Sequence, residues 1–345
     1  MLIQPSRPAT AQGPATAPAP APADPALTFA LPPVIDGSFV NDIIRCLRYA
    51  YYRHVMHRVP LKRHPALDFG TAFHDAVHEW YISGCTADGI AKGLTIWDAY
   101  ETPEDAGTRT QELGKARFEE YCLHYKHQPF ELLRLQDGTP CSETGFCLPL
   151  TSDITYGGRI DRIIKWNDGR IYISDLKTAS ALGQYWLKQF RPHLSFTGYI
   201  WGASQIINQP ICGAHIDGVS TAKSPQYKYL RDITTRTPRE FHDFKTSVRR
   251  SCARFLVACK MAETEDPLDA FYMEPHSCSS YSGCPYRDLC NSGCSPAIVN
   301  AKYAYEIWHP YSDGEEAGGS ADPDKTFYRL PGAPSNTPCT RTPSA

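Results

Sequence analysis

Residues 157–180 read GGRIDRIIKWNDGRIYISDLKTAS. Two runs rich in Ile and Tyr flank the turn-forming stretch Trp166-Asn167-Asp168-Gly169, so the pattern predicts a hairpin. If the strands pair across Asn167–Gly169, Asp161 and Asp175 fall toward the same end of the sheet. Asp175 and Lys177 are two residues apart and point to one face. Ile160, Ile163, Ile171 and Ile173 mark the strands as sheet-embedded, and a charge at the end of such a strand needs a partner or a metal. Two carboxylates can hold a hard divalent cation, and the Leu176 carbonyl can add a third oxygen. Lys177 beside them would orient a water or stabilise charge on a phosphate oxygen. The plain alternative is a solvated Asp–Lys ion pair.

Working outward, Cys141 to Leu150 predicts a strand before the hairpin, with Ile154 to Trp166 and Arg170 to Leu176 as its two arms. Ser38 to Val55 and Phe69 to Tyr81 predict helices, with a further helical region from about Ile90 to His127. After the hairpin, Tyr185 to Ile207 predicts a helix interrupted by Pro192. His215 to Thr221 and Gln226 to Thr234 predict two strands, and Arg239 to Ala262 a long helix. The N-terminal helix carries Arg45, Arg48 and Arg53, with Arg58, Lys62 and Arg63 beyond. Interleaved with Tyr49, Tyr51 and Tyr52, these could track a nucleic-acid backbone and stack bases, or simply face solvent. Arg249, Arg250 and Arg254 could do likewise.

The 345 residues are 42% hydrophobic and 21% charged, enough for a substantial core. A net charge of −2 sets up no global basic field, so a nucleic-acid surface would have to be local. No apolar run has the length of a membrane span. Residues 1–32 are Pro/Ala-rich, lack the apolar stretch of a signal peptide, and predict a disordered leader; residues 311–345 predict a disordered tail. There is no phosphate-binding G-x-x-x-x-G-K-[ST] loop. His74 and His78, at i and i+4 in H-D-A-V-H, faintly match the zinc-hydrolase pattern H-E-x-x-H, with Asp in place of Glu.

Thirteen cysteines without a secretion signal point to reduced thiols. Most are scattered, but Cys278, Cys284 and Cys290 are spaced six apart and Cys294 follows four later. Four thiolates suit zinc or an iron–sulfur cluster.

These motifs together resemble the PD-(D/E)XK nuclease superfamily in its RecB-like branch. That branch includes bacterial recombination helicase–nucleases, CRISPR-adaptation exonucleases and phage-encoded relatives. Gly70-Thr71-Ala72-Phe73-His74 is similar to the family's G-x-x-x-H helix, Gly158-Arg159-Ile160-Asp161 to its GxID strand, and Asp175-Leu176-Lys177-Thr178 to its D-x-K-T strand. Glu143 corresponds to the glutamate of the first core strand. Tyr199 corresponds to the tyrosine of Q-x-x-x-Y, although Ser195 stands at the glutamine position.

The resemblance implies an α/β, restriction-endonuclease-like core: a central mixed β-sheet flanked by helices, with an N-terminal helical region and a C-terminal cysteine cluster. The domain would span residues 33–295, with a helical insertion at about 85–135 and the cysteines at 278–294. The implied metal ligands are His74, Asp161, Asp175 and Leu176, holding Mg²⁺ or Mn²⁺. The implied catalytic set is Lys177, Asp161, Asp175, Glu143 and Tyr199. Iron–sulfur members of the branch place one cysteine before the core and three after it, which implies a 4Fe–4S cluster on Cys46, Cys278, Cys284 and Cys290, zinc being the alternative. The implied activity is a cytoplasmic DNA exonuclease acting on single-stranded ends or frayed duplex, in a bacterial host or phage-infected cell, with a recombination or helicase partner and no membrane. A non-catalytic DNA-binding or assembly subunit of the same fold is the second reading, and a zinc hydrolase using His74 and His78 the third.

Overall fold

In the computed structural model the described residues are 27–279 and 283–308, with the backbone of 327–329. Most of the expected leader and tail therefore lies outside the described residues. Helix α1 (Gly37–Arg45) is followed by α2 (Leu47–His54), β1 (Arg58–Pro60), α3 (Pro65–Ile82), α4 (Ala87–Ala99) and α5 (Gln111–His124). Strands β2 (Phe130–Leu132), β3 (Ser142–Pro149), β4 (Thr155–Trp166) and β5 (Ile171–Ala179) come next. Then follow α6 (Gln184–Lys188), α7 (Leu194–Ile207), β6 (Ala214–Ser220), β7 (Tyr229–Thr234) and α8 (Pro238–Met261). The chain continues through α9 (Pro267–Ala270), α10 (Arg287–Asn291), α11 (Pro296–Lys302), β8 (Tyr303–Tyr305) and β9 (Phe327–Arg329).

The main sheet runs β7-β6-β5-β4-β3-β9, with β2 also paired to β4; β1 and β8 form a separate ribbon. It is mixed: β3, β4 and β5 are successively antiparallel, while β5 and β6 run parallel. The hairpin is present, with Ile163 opposite Ile173 and Lys165 opposite Ile171.

Helices cover both faces. On one, α1, α2, α7 and α8 contribute Phe39, Tyr52, Phe196 and Phe255 against Ile163, Ile173 and Ile216. On the other, α3, α4 and α5 contribute Phe73, Trp97 and Phe118 against Ile164, Tyr172 and Leu176. Burial on both faces explains why the hairpin strands read as nearly continuous apolar runs.

Three expected helices are divided. Cys46 is extended (φ −171°, ψ 124°) and separates α1 from α2. The residues around Pro103 and Gly107 separate α4 from α5, which restarts where the Thr110 side chain accepts from Leu113 N–H. Pro192 lacks an N–H and disfavours a helical predecessor, so α6 ends and α7 starts afresh at the His193 cap. The expected insertion at 85–135 holds α4, α5 and also β2.

The arginine-rich N-terminal helices do not present an open basic face. Arg48 Nε donates to the Phe271 carbonyl at 3.1 Å, and its Nη2 to that of Leu268. Arg53 pairs with Asp42 at 3.4 Å and lies over the Trp308 ring, while Arg45 lies over Tyr49. Arg58, Tyr51 and Tyr52 are buried. Lys62 and Arg63 pair with Asp105 and Asp68. Arg48, Arg53 and Arg58 are engaged in holding the fold, which spacing along one helix could not reveal, whereas Lys62 and Arg63 remain largely exposed. On α8, Arg254 is likewise held by Tyr272 and Glu274, leaving Arg249 and Arg250 exposed.

Gly93 is what lets α4 lie close on α3, the helix that carries His74. A Cβ there would come 2.3 Å from buried Phe118 and 2.9 Å from the Ala76 carbonyl oxygen. The carbonyl belongs to the backbone and cannot swing away. Gly93→Ala is therefore expected to destabilise the protein by about 1–3 kcal/mol despite alanine's better helix propensity, read as a lower urea midpoint.

Candidate active site

Three elements meet at the point where β4 and β5 part. The register places Asp161 across from Asp175, one step beyond the Arg162–Ser174 pair. Here the ladder stops, and the Leu176 N–H donates to Asp161 Oδ2 at 3.1 Å instead of to a strand carbonyl. On the other side of β4, Glu143 stands across from Asp161, between the Ser142–Arg162 and Thr144–Ile160 pairs. Glu143 has φ +48°, a conformation a non-glycine residue adopts at some expense. The alternation of β4 slips at the same place: Tyr156, Ile160 and Ile163 all face one core layer although two of them differ by three residues. The paired irregularities of β3 and β4 turn Glu143 and Asp161 toward α3.

From α3, His74 Nδ1 faces Asp161 Oδ2 at 3.1 Å, and its Nε2 faces the Leu176 carbonyl oxygen at 2.6 Å. Single ligand atoms of His74, Glu143 and Asp161 lie within 4.8 Å of one another. Asp175 stands outside this trio, and its Oδ2 is 2.6 Å from Lys177 Nζ. Glu143 is also held by Arg159 at 2.8 Å. Arg159 lies two residues from Asp161 on the same strand, a pairing that strand periodicity could have suggested.

His78, one turn on, faces Ser142 Oγ at 2.7 Å. The Ser142 hydroxyl donates to the Asp161 carbonyl, so His78 Nδ1–H is the donor in that pair. His78 thus braces the strand and does not join His74, which leaves the H-D-A-V-H zinc arrangement without its second histidine. The Tyr199 ring lies on Gly158, where a Cβ would approach it to 2.8 Å. Ser195 is pressed against Gly37, whose Cβ would come 2.3 Å from Ser195 Oγ. The close approach of α1 to α7 leaves little room there for a glutamine.

The charges are unevenly held. Burial and the Asp161 charge push both Asp175 and Glu143 up to about 7. Burial would raise Asp161 too, but the neighbouring His74 ring, the Lys177 and Arg162 charges and the Leu176 N–H keep it below its ordinary value. Burial would lower Lys177, yet the Asp175 and Asp161 charges hold it up. Burial lowers His74 against the pull of Asp161, favouring the neutral imidazole. A neutral ring has one N–H but here meets an oxygen at each nitrogen. One nitrogen lone pair therefore confronts an oxygen, and only a proton or a cation relieves that repulsion. An imidazole with hard carboxylate oxygens is a donor set that fits a divalent cation.

The cysteines form a second cluster. Cys46, at the break between α1 and α2, accepts the Glu274 N–H on its sulfur at 3.3 Å. The Ser277 hydroxyl donates to the Arg45 carbonyl at 2.6 Å. Cys284 N–H donates to the Cys278 carbonyl at 3.0 Å. Burial raises the Cys290 thiol, and Cys46 and Cys278 are near enough to add to that rise. Cys290 and Cys278 act in the same way on Cys284. Cys290 is thus within charge range of Cys46, Cys278 and Cys284, and it shares Tyr52 with Cys294, but among the described residues the sulfurs are not gathered as closely as the ligand atoms of His74, Glu143 and Asp161. All twelve cysteines among the described residues are free thiols.

A family model for the PD-(D/E)XK nuclease superfamily matches residues 38–291, nearly three quarters of the chain. The chain belongs to the PD-(D/E)XK nuclease superfamily. PD-(D/E)XK nucleases use divalent metals, and the His74–Glu143–Asp161 trio lies within the matched span. Among solved structures, a candidate exonuclease from Eubacterium rectale is similar at 14% identity, covering 67% of this chain and 83% of its own, with a TM-score of 0.39. The protein SSO0001 is similar at 11% identity, covering 66% of this chain and 94% of its own, with a TM-score of 0.27. No curated protein matches the chain. Among the described residues no helix is long and apolar enough to cross a membrane.

The raised carboxyls give a pH signature. Glu143 and Asp175 bind protons more tightly folded than unfolded, so their contribution is complete at low pH and is lost as pH rises from about 4 through about 7. Bound Mn²⁺ should offset the charge repulsion that appears above that range. The melting temperature is expected to rise more on adding Mn²⁺ at about pH 8 than at about pH 6. An equal rise at both would count against a carboxylate metal site.

Proposed function

We propose that this PD-(D/E)XK protein is a Mg²⁺- or Mn²⁺-dependent DNA exonuclease of the RecB-like kind. It would act on single-stranded ends or frayed duplex during recombination, repair or phage DNA processing, in the cytoplasm of a bacterial host or infected cell, alongside a recombination or helicase partner. The observation that carries this reading is the convergence of His74, Glu143 and Asp161 beside the Asp175–Lys177 pair.

His74, Glu143 and Asp161 would hold the cation, with Asp175 and the Leu176 carbonyl completing the oxygen set. The imidazole tilts the site toward the softer Mn²⁺. When bound, the cation supplies Lewis-acid polarisation of the phosphodiester and charge neutralisation on the phosphate oxygens. Lys177, anchored by Asp175 but with its side chain 44% exposed, orients the attacking water and faces the developing negative charge. Tyr199 fills the space over Gly158 and keeps α7 seated behind the site. The RecB-like assignment is supported by the set Gly70-x-x-x-His74, Gly158-Arg159-Ile160-Asp161 and Asp175-Leu176-Lys177-Thr178. The tight Gly37–Ser195 contact favours the second reading, a non-catalytic DNA-binding or assembly subunit, because the usual glutamine is missing from α7.

Cys46, Cys278, Cys284 and Cys290 would hold a structural 4Fe–4S cluster, the support being their spacing and the influence of Cys46, Cys278 and Cys284 on or from Cys290. Zinc is the alternative occupant.

Asp175→Ala and Lys177→Ala are each expected to lower Mn²⁺-dependent cleavage of linear DNA by about a hundredfold or more while the circular dichroism spectrum is retained. Undiminished cutting by either would refute the catalytic roles, and an inactive wild type would favour the assembly subunit. Anaerobic purification is expected to yield a coloured protein with about four irons per chain, and Cys278→Ser to lose both colour and stability. Zinc in place of iron would reassign the cluster.

A further inference from the structure

Helix α6 begins five residues after β5 ends, so it is the first structure beyond Lys177. Its position is fixed by Trp186. Gly218 on β6 is the register partner of Lys177, and a Cβ on Gly218 would lie 2.6 Å from the Trp186 indole. Side chains paired across parallel strands project to the same face, so Trp186 stands beside Lys177 on the side from which Lys177 projects. Trp186 packs edge-on against Phe190 (4.8 Å between centroids) and Phe190 against Phe196 (5.4 Å). The Phe196 ring in turn lies 5.8 Å from Lys177 Nζ. A chain of three rings therefore seats α6 at the rim of the candidate site.

With Trp186 turned to the sheet, its neighbour Tyr185 is carried about 100° round the helix and away from it. Tyr185 is 88% exposed, the most exposed of the large apolar side chains among the described residues. Lys188, one turn on, is also exposed and holds its Nζ 5.2 Å from the Tyr185 ring centroid. Among the described residues no packing accounts for a ring so placed. An open aromatic face with an ammonium at its side matches a nucleobase followed by its phosphate.

Given the nuclease activity proposed above, the geometry points to Tyr185 as a stacking platform for an unpaired base of the substrate, with Lys188 taking an adjacent phosphate. A base in a duplex has both faces covered by its neighbours, so the platform selects single-stranded DNA. Tyr185 and Lys188 are specificity residues that do not touch the reacting phosphate.

The test follows binding of a fluorescent oligo(dT) strand and of a blunt hairpin duplex by anisotropy without added divalent cation, and cleavage of both with Mn²⁺. Tyr185→Ala is expected to weaken single-strand binding about tenfold, to change duplex binding by less than about twofold, and to raise KM rather than lower kcat. Tyr185→Phe keeps the ring and should remain near wild type, and Lys188→Gln should fall between. Wild-type binding by Tyr185→Ala, or an equal loss on both DNAs, overturns the platform and leaves the nuclease reading standing. A wild-type protein that neither binds nor cuts either DNA overturns the nuclease reading and the platform with it.

Discussion

The carboxylate of Asp161 is the joint on which the molecule turns. It accepts the backbone N–H of Leu176 from β5, faces His74 from α3, and stands across from Glu143 on β3. A buried carboxylate would ordinarily be driven to take up a proton, yet this one is surrounded by enough cationic and donor groups to stay ionised. Its two carboxylate neighbours, Glu143 and Asp175, are left short of compensation. Such an unequal division of charge is stable only in a frame rigid enough to hold the groups together. The doubly covered sheet and the Gly93 contact of α4 with α3 supply that frame.

Much of this was legible in the chain. The isoleucine-rich runs, the Asn-Asp-Gly turn and the two-residue spacing of Asp175 and Lys177 defined the hairpin and one face of it. His74 was legible only through the resemblance of Gly70-Thr71-Ala72-Phe73-His74 to the family's G-x-x-x-H helix. Strand periodicity alone would not bring Glu143 and Asp161 toward α3, because that turn depends on a positive φ at Glu143 and a slip in the alternation of β4. Both are local irregularities that β-strand patterns do not encode. The division at Cys46 was hidden for a similar reason: the apolar spacing of α1 and α2 continues through the break, and only contacts with residues far along the chain enforce it.

The basic N-terminal helices show how residue type misleads without context. A run of arginines and tyrosines suits a nucleic-acid surface, but Arg48 satisfies the carbonyls of Leu268 and Phe271, and Tyr51 and Tyr52 are core. A guanidinium can close several backbone acceptors at once, which makes it as useful for stitching a helix to a loop as for gripping a phosphate. By contrast, the exposed ring of Tyr185 lies in a short helix whose orientation is set by a glycine on another strand, a relation visible only in three dimensions.

The stitching of α1 and α2 to residues 268–277 has a consequence for how the molecule is made. Helices α1 and α2 are clamped by a segment synthesised more than two hundred residues later. The nascent chain therefore passes through a long interval with Arg48 and Cys46 lacking their final partners. Completion of the fold is thereby tied to completion of translation through residue 277 and beyond.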